Sequence, residues 1–137
     1  MQPIILQGRK IVEGYCKAEA LVSTKPISFL GGVDPADGKI IDSNHDLFGL
    51  CSKDKVLCFP HGHGSTVGSY VLYSLSRKGL APKAIVNQTA DPVVVVGAII
   101  ANIPMIDRID IELIKTGDLL EVDAEKGLVR ILARRGS

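Results

Sequence analysis

The residues best placed to do chemistry lie in His61-Gly62-His63-Gly64-Ser65-Thr66. This small-residue stretch precedes Val67, Val71 and Leu75, which recur at four-residue spacing, so a loop feeds a helix. A glycine loop at a helix N-terminus offers unpaired backbone N–H groups and the positive end of the helix dipole. Phosphate and carboxylate groups bind at such ends. Gly62 and Gly64 remove side chains, which lets a ligand approach the backbone. Ser65 is the candidate nucleophile or base. A serine hydroxyl is a very weak acid, so it acts as a base only where N–H donors and a cation stabilise the alkoxide. The loop is not a Walker A motif, because no Gly-Lys-Ser/Thr follows, and it lacks the third glycine of a dinucleotide fingerprint. Val67 breaks the Gly-x-Ser-x-Gly elbow of hydrolases. Taken alone, the segment reads first as a strand-to-helix turn capped by Ser65 or Thr66.

The remaining polar candidates are weaker. His61 and His63 share one side of an extended chain, and His45 is the only other histidine, so a zinc site lacks ligands. Asp34, Asp37, His45 and Asp46 cluster in a loop-rich stretch, where an aspartate such as Asp37 before Gly38 is a turn former. Arg77 and Lys78 read as helix-end charges, and Arg134-Arg135 as a solvated tail. Cys16, Cys51 and Cys58 are odd in number and form no CxxC pair. They read as packed thiols, neither a disulfide framework nor cluster ligands, and no metal site is expected in this chain.

The elements that must position the loop follow from pattern. Gly8 to Val22 mixes apolar and charged residues as an early strand, and Val56–Phe59 is a short buried strand stopped by Pro60. The helix after the loop ends with Arg77 and Lys78 in its last turn and Gly79 as its stop. Ala84–Asn87 is a further strand. Asp91-Pro92 predicts a helix start, extended to about Ala101, although the Val93–Val96 run has strand propensity. Leu119–Val122 and Leu128–Leu132 flank a polar stretch and predict a hairpin. Gly31 to Gly49 is punctuated by turn residues and reads as loop with at most one short strand. Strands and two helices that do not strictly alternate indicate a mixed α/β fold.

The chain of 137 residues fits one domain spanning residues 1–137, long enough to bury its own core. A net charge of +1 argues against nucleic-acid binding, and 46% hydrophobic residues exclude disorder. A mean hydropathy of +0.24 suggests a surface buried against something else. The longest apolar stretch, Pro92 to Ile106, is interrupted by Asn102 and Pro104 and is too short to cross a membrane. Met1 to Lys10 lacks a signal-peptide pattern, so a cytoplasmic location is expected.

Read together, three blocks are familiar. One is Gly31-Gly32-Val33-Asp34-Pro35 with Gly38 and His45, and another runs from Phe59-Pro60 through Gly64-Ser65-Thr66-Val67-Gly68-Ser69-Tyr70-Val71. The third is Gln88-x-Ala90-Asp91-Pro92 followed by an apolar run and Ile103-Pro104. Over nearly the whole chain they resemble the small subunits of phosphomevalonate dehydratases, the aconitase-X small-subunit or swivel-domain family. The resemblance implies a swivelling β/β/α domain like the mobile C-terminal domain of aconitases. It also implies a large subunit carrying a 4Fe–4S cluster whose open iron acts as Lewis acid on the departing hydroxyl. The implied reaction is dehydration of (R)-5-phosphomevalonate to trans-anhydromevalonate 5-phosphate in the archaeal-type mevalonate route to isoprenoids. Ser65 would be the proton acceptor, with Gly62, His63, Gly64 and Thr66 around the substrate and Gly64 and Thr66 contributing backbone donors. The cation beside such a serine would be a protonated His61 or His63, or come from the partner.

Other readings stay open at this level. Related aconitase-X proteins dehydrate a hydroxyproline. A phosphohistidine swivelling carrier would share the hairpin around Gly117-Asp118 and Gly127, with His61 or His63 phosphorylated, although the carrier's Thr-Ser-His order is absent. A non-catalytic module could use the loop to hold an anion.

Overall fold

A computed structural model describes residues 2–134. Eight strands form one hydrogen-bonded sheet, and the chain order within it is set by which faces are apolar. Strand β4 (Val56–Phe59) and strand β5 (Ala84–Asn87) are buried at every position. Such continuous burial requires cover on both faces. On one face Leu57, Phe59 and Ile85 pack with α2 (Gly68–Arg77) and α3 (Pro92–Ala101). On the other, Val56, Cys58, Ala84 and Val86 pack against Leu120, Val122, Val129 and Ile131 of the hairpin β7 (Leu119–Asp123) and β8 (Leu128–Ala133). The hairpin alternates half-buried and buried residues, as a sheet covered on one face should. The result is three layers, antiparallel sheet on parallel sheet on helices: the swivelling β/β/α arrangement expected from the resemblance.

Strand β3 (Tyr15–Val22) joins the two sheet layers. Its first half, Tyr15–Glu19, pairs antiparallel with β7, and Ala20–Val22 pairs parallel with β4. The early strand expected over Gly8 to Val22 is therefore broken. Strand β2 (Arg9–Val12) runs along β6 (Met105–Asp107) at the opposite edge, and the chain reverses at Gly14, where a Cβ would lie 2.6 Å from Pro104 Cγ. Strand β1 (Ile4–Gln7), which no pattern signalled, pairs with β8. The full sheet order is β1-β8-β7-β3-β4-β5-β6-β2.

The helices sit where the sequence places them, with adjustments. Asp91 caps α3, its Oδ1 accepting from Val93 N at 3.0 Å and Val94 N at 3.4 Å. Gly79 ends the turn after α2 with φ of 72°. The stripe of α2 facing the core is Gly68, Ser69, Val71, Leu72 and Leu75, while Val67 is outside it and exposed. Small residues let α2 and α3 approach: a Cβ on Gly97 would sit 2.7 Å from Leu72 Cδ1. Ser69 Oγ donates to Val93 O at 2.6 Å and Ser76 Oγ to Ala101 O at 3.0 Å. The stretch from Gly31 to Gly49 contains isolated bridges, Val33 with Ile40 and Lys39 with Cys51, after a short helical turn α1 (Phe29–Gly32).

One polar contact differs from expectation, and a second had no signal in the sequence. Arg134 is half-buried, its guanidinium 3.3 Å from buried Asp118 and donating to Leu113 O at 2.7 Å, so it fastens the end of β8. Arg135 lies outside the described residues. Arg9 makes a two-pronged pair with buried Asp107 at 2.9 and 2.8 Å, and Ala90 N donates to the same carboxylate at 3.0 Å. Burial pushes the Asp107 carboxyl up, but the Arg9 hydrogen bonds, the Ala90 amide and the Arg9 charge outweigh it and hold it below the usual carboxylate range. A depressed carboxylate contributes stability that is complete above its unfolded value and disappears as pH falls through its folded value. We expect Arg9→Ala to destabilise the fold at neutral pH, since it removes the charge partner of buried Asp107 and leaves that carboxylate only the Ala90 amide. In urea melts the gap to wild type should close as pH drops from about 7 to about 2; a gap that stays constant would mean that the pair is not its source.

Candidate active-site loop

Parallel strands deliver their ligand-binding loops at their carboxyl ends. The chain leaves β4 there, through Pro60, and reaches α2 by way of the candidate loop. Three ties hold it. Pro60 O accepts from Gln88 N at 3.0 Å and Thr89 N at 3.1 Å, joining the loop to the end of β5. Ile27 N donates to His61 O at 3.3 Å, and His63 N donates to Ile27 O at 3.1 Å. Gly62 is buried against the start of α3: a Cβ there would collide with Val94 Cγ2 and lie 3.3 Å from Asp91 Oδ1. Gly64 adopts φ of +96°, and a Cβ would strike Ser28 Oγ. The space vacated by both glycines is thus filled by protein atoms rather than kept for a ligand, which changes the physical reason those positions are glycine.

Past Gly64 the chain opens to solvent. Ser65 is exposed, and its Oγ accepts from Val67 N at 3.1 Å, while its carbonyl accepts from Gly68 N at 2.9 Å. Ser65 therefore starts the turn that winds into α2. The N-cap position of the helix proper is Val67, with no side-chain cap, rather than Ser65 or Thr66. The amides of Gly64, Ser65 and Thr66 donate to no acceptor among the described residues. The two neighbouring helix starts thus differ: Asp91 closes that of α3, whereas α2 has neither cap nor acidic residue in its first turn. Three free donors, a positive helix end and one hydroxyl already receiving an N–H bond can bind an anion and stabilise an alkoxide.

The other sequence candidates separate from this loop. His61 and His63 are both exposed on it, with His61 Nδ1 2.8 Å from Gly62 O. Asp34 and Asp37 accept from Ala36 N at 2.8 Å and Lys39 N at 2.9 Å, as turn formers do. His45 is buried, its Nδ1 accepting from Leu47 N at 3.1 Å and its Nε2 3.2 Å from Pro26 O. Ser23 Oγ donates to Asp46 Oδ1 at 2.6 Å. Burial pushes the Asp46 carboxyl up, but the bonds from Ser23 and Thr24 and the nearness of His45 leave it below its usual value. This group fastens the Asp42–Phe48 turn to the end of β3. Lys78, at the far end of α2, donates to Pro35 O at 2.8 Å. Ser28, whose side chain fits under Gly64, carries no sequence signal, because the contact joins residues 36 positions apart.

The cysteines do not fit an iron–sulfur cluster. Cys58 is buried between the sheets, and burial raises its pKa strongly. Cys16 on β3 is pushed up to about 11 by burial, partly offset by Lys83, and Cys51 lies apart near Asp37. Thiols held protonated are poor ligands. No group of three His, Cys, Asp or Glu able to hold a metal occurs among the described residues. Cys58 alone matches the expectation of a fully packed thiol; the other two are half-buried. No described helix is long and apolar enough to cross a membrane.

Known proteins carry the same frame. The family described as "Aconitase X swivel domain" matches residues 5–131. A Thermococcus sibiricus protein named phosphomevalonate dehydratase small subunit is 56% identical over 126 residues, covering 92% of this chain and 97% of its own. A Methanosarcina acetivorans protein of the same name is 47% identical over 140 residues, covering 100% of this chain and 97% of its own. The crystal structure of Thermococcus kodakaraensis aconitase X in its holo-form contains a chain 50% identical, with a TM-score of 0.93 over 95% of this chain and 99% of that one. A three-layer fold shared almost end to end, at this level of identity, leaves one assignment: the chain belongs to the aconitase X swivel domain family.

Proposed function

We propose that this chain is the small subunit of a phosphomevalonate dehydratase and that Ser65 is its proton acceptor. The observation that carries the site assignment is the exposed Ser65 hydroxyl at the uncapped start of α2, flanked by three unbonded amides. In the forward reaction the Ser65 alkoxide takes the proton from the carbon next to the substrate carboxylate. The bonding pair left behind forms the new double bond as hydroxide departs from the neighbouring carbon, giving trans-anhydromevalonate 5-phosphate. The hydroxide takes up a proton from solvent to become water, and Ser65 returns its own proton to solvent before the next turnover. Val67 N–H and the end of the helix dipole stabilise the alkoxide before the transfer. The amides of Gly64 and Thr66 supply donors to an anionic group of the substrate, with His63 beside them and Gly62 shaping the loop from below. His61 and His63, exposed on either side of Gly62, are the basic side chains this chain brings to the loop, and the partner subunit is the other source of a cation.

The 4Fe–4S cluster belongs to the large subunit, a placement supported by the poor fit of the cysteines in this chain. The enzyme acts in the archaeal-type mevalonate route, in the cytoplasm. The names of the relatives favour this reading over a phosphohistidine carrier or a hydroxyproline dehydratase. The test is reconstitution. This chain alone should show no dehydratase turnover of phosphomevalonate, and addition of the cluster-loaded large subunit should produce it. A complex that assembles with its cluster intact yet leaves phosphomevalonate unchanged would overturn the substrate assignment.

A further inference from the structure

We infer that the outer face of α2 and α3 is the seat of the large subunit, which would reach from the Ser65 loop across to the middle of α3; this rests on the reading that Ser65 works against that partner. Surface helices normally turn a polar side to water. Helix α3 has none: every residue from Pro92 to Ala101 is apolar. Val96, Ile99 and Ile100 stand 48%, 57% and 41% exposed. Across from them on the start of α2 and along it, Val67, Tyr70 and Tyr73 are 47%, 68% and 40% exposed. Between the helices runs a groove of about 360 Å³ lined by Thr66, Ser69, Tyr70, Val93, Val96 and Ile100, with no charged residue.

Area and continuity identify the occupant. These side chains present on the order of 500 Å² of apolar residue surface, as much as the largest patch on a typical monomer and over half of one partner's share of a standard interface. The groove begins at Thr66, the residue after Ser65, so any chain that covers the reactive hydroxyl arrives beside Tyr70 and Val96. Two copies of this chain joined through the same face would press their Ser65 loops together and exclude the large subunit. The complementary surface on the large subunit is therefore an uncharged aliphatic or aromatic projection that fills the groove.

Surface plasmon resonance between the two full-length subunits tests this. Ile99→Arg should raise the Kd at least ~50-fold and Ile99→Ser about 5- to 10-fold, whereas Ile5→Arg, on β1 in the outer layer, should leave it within about twofold. Circular dichroism melts of each variant check the fold, and Ile99→Ser keeps the test valid should the arginine variant unfold. At saturating concentrations the Ile99 variants should retain kcat, since Ile99 does not line the loop. An unchanged Kd in both Ile99 variants overturns the proposal. So does a wild-type chain that sediments as a dimer which Ile99→Arg dissolves without loss of affinity for the large subunit. Ser65→Ala separates the two readings: unchanged turnover there with weakened binding by Ile99→Arg would sink the mechanism and leave the docking face standing.

Discussion

Ser65→Ala in the assembled two-subunit enzyme is expected to lower kcat by ~10³-fold or more, with assembly and fold unchanged. Loss of a positioned general base accounts for roughly 10²–10⁴ in rate. The structural effect should be small. Ser65 is exposed, its carbonyl bond to Gly68 N is kept, and Val67 N loses only a hydroxyl acceptor that water can replace. Steady-state rates with phosphomevalonate, alongside a thermal melt of the variant subunit, read both quantities. Near-normal kcat would remove Ser65 from the chemistry, whatever else the loop does.

Gly62→Ala should cost about 2–3 kcal/mol and reduce turnover together with stability. The added Cβ meets Val94 Cγ2, which is itself pinned because Val94 N bonds the capping Asp91. Relief requires either the loop to lift, carrying Ser65 with it, or α3 to shift on α2 against the Leu72–Gly97 contact. Val94→Ala removes the colliding methyls at its own cavity cost, so the double variant should be clearly more stable than the two single costs added together. Urea denaturation of the four proteins forms the cycle. Strict additivity would show that Gly62 and Val94 do not compete for one space.

The loop was legible in the sequence because helix starts are local chemistry. Small residues, a hydroxyl and a four-residue apolar rhythm lie within about three turns of chain, and each acts on its immediate neighbours. The same holds for Asp91-Pro92, where a short-range cap overrode the strand propensity of four consecutive valines. Strand β1, the break at Gly14 and the half-buried Arg134 were not legible. β1 is an edge strand whose partner is at the other end of the chain, and Arg134 meets Asp118 only through the β7–β8 register, 16 positions away.

What the sequence determined by itself was the inventory: a mixed α/β chain, a hydroxyl at a helix start, an uncharged helix and cysteines unfit to hold a cluster. Tertiary structure alone decided how those parts are used. It filled the space above Gly62 and Gly64 with Val94 and Ser28, left the amides of Gly64 to Thr66 unbonded, and set the bare sides of α2 and α3 next to Ser65. The physical reason is range. Capping and periodicity depend on residues within a few positions, whereas packing and exposure depend on which distant segments the sheet order brings together.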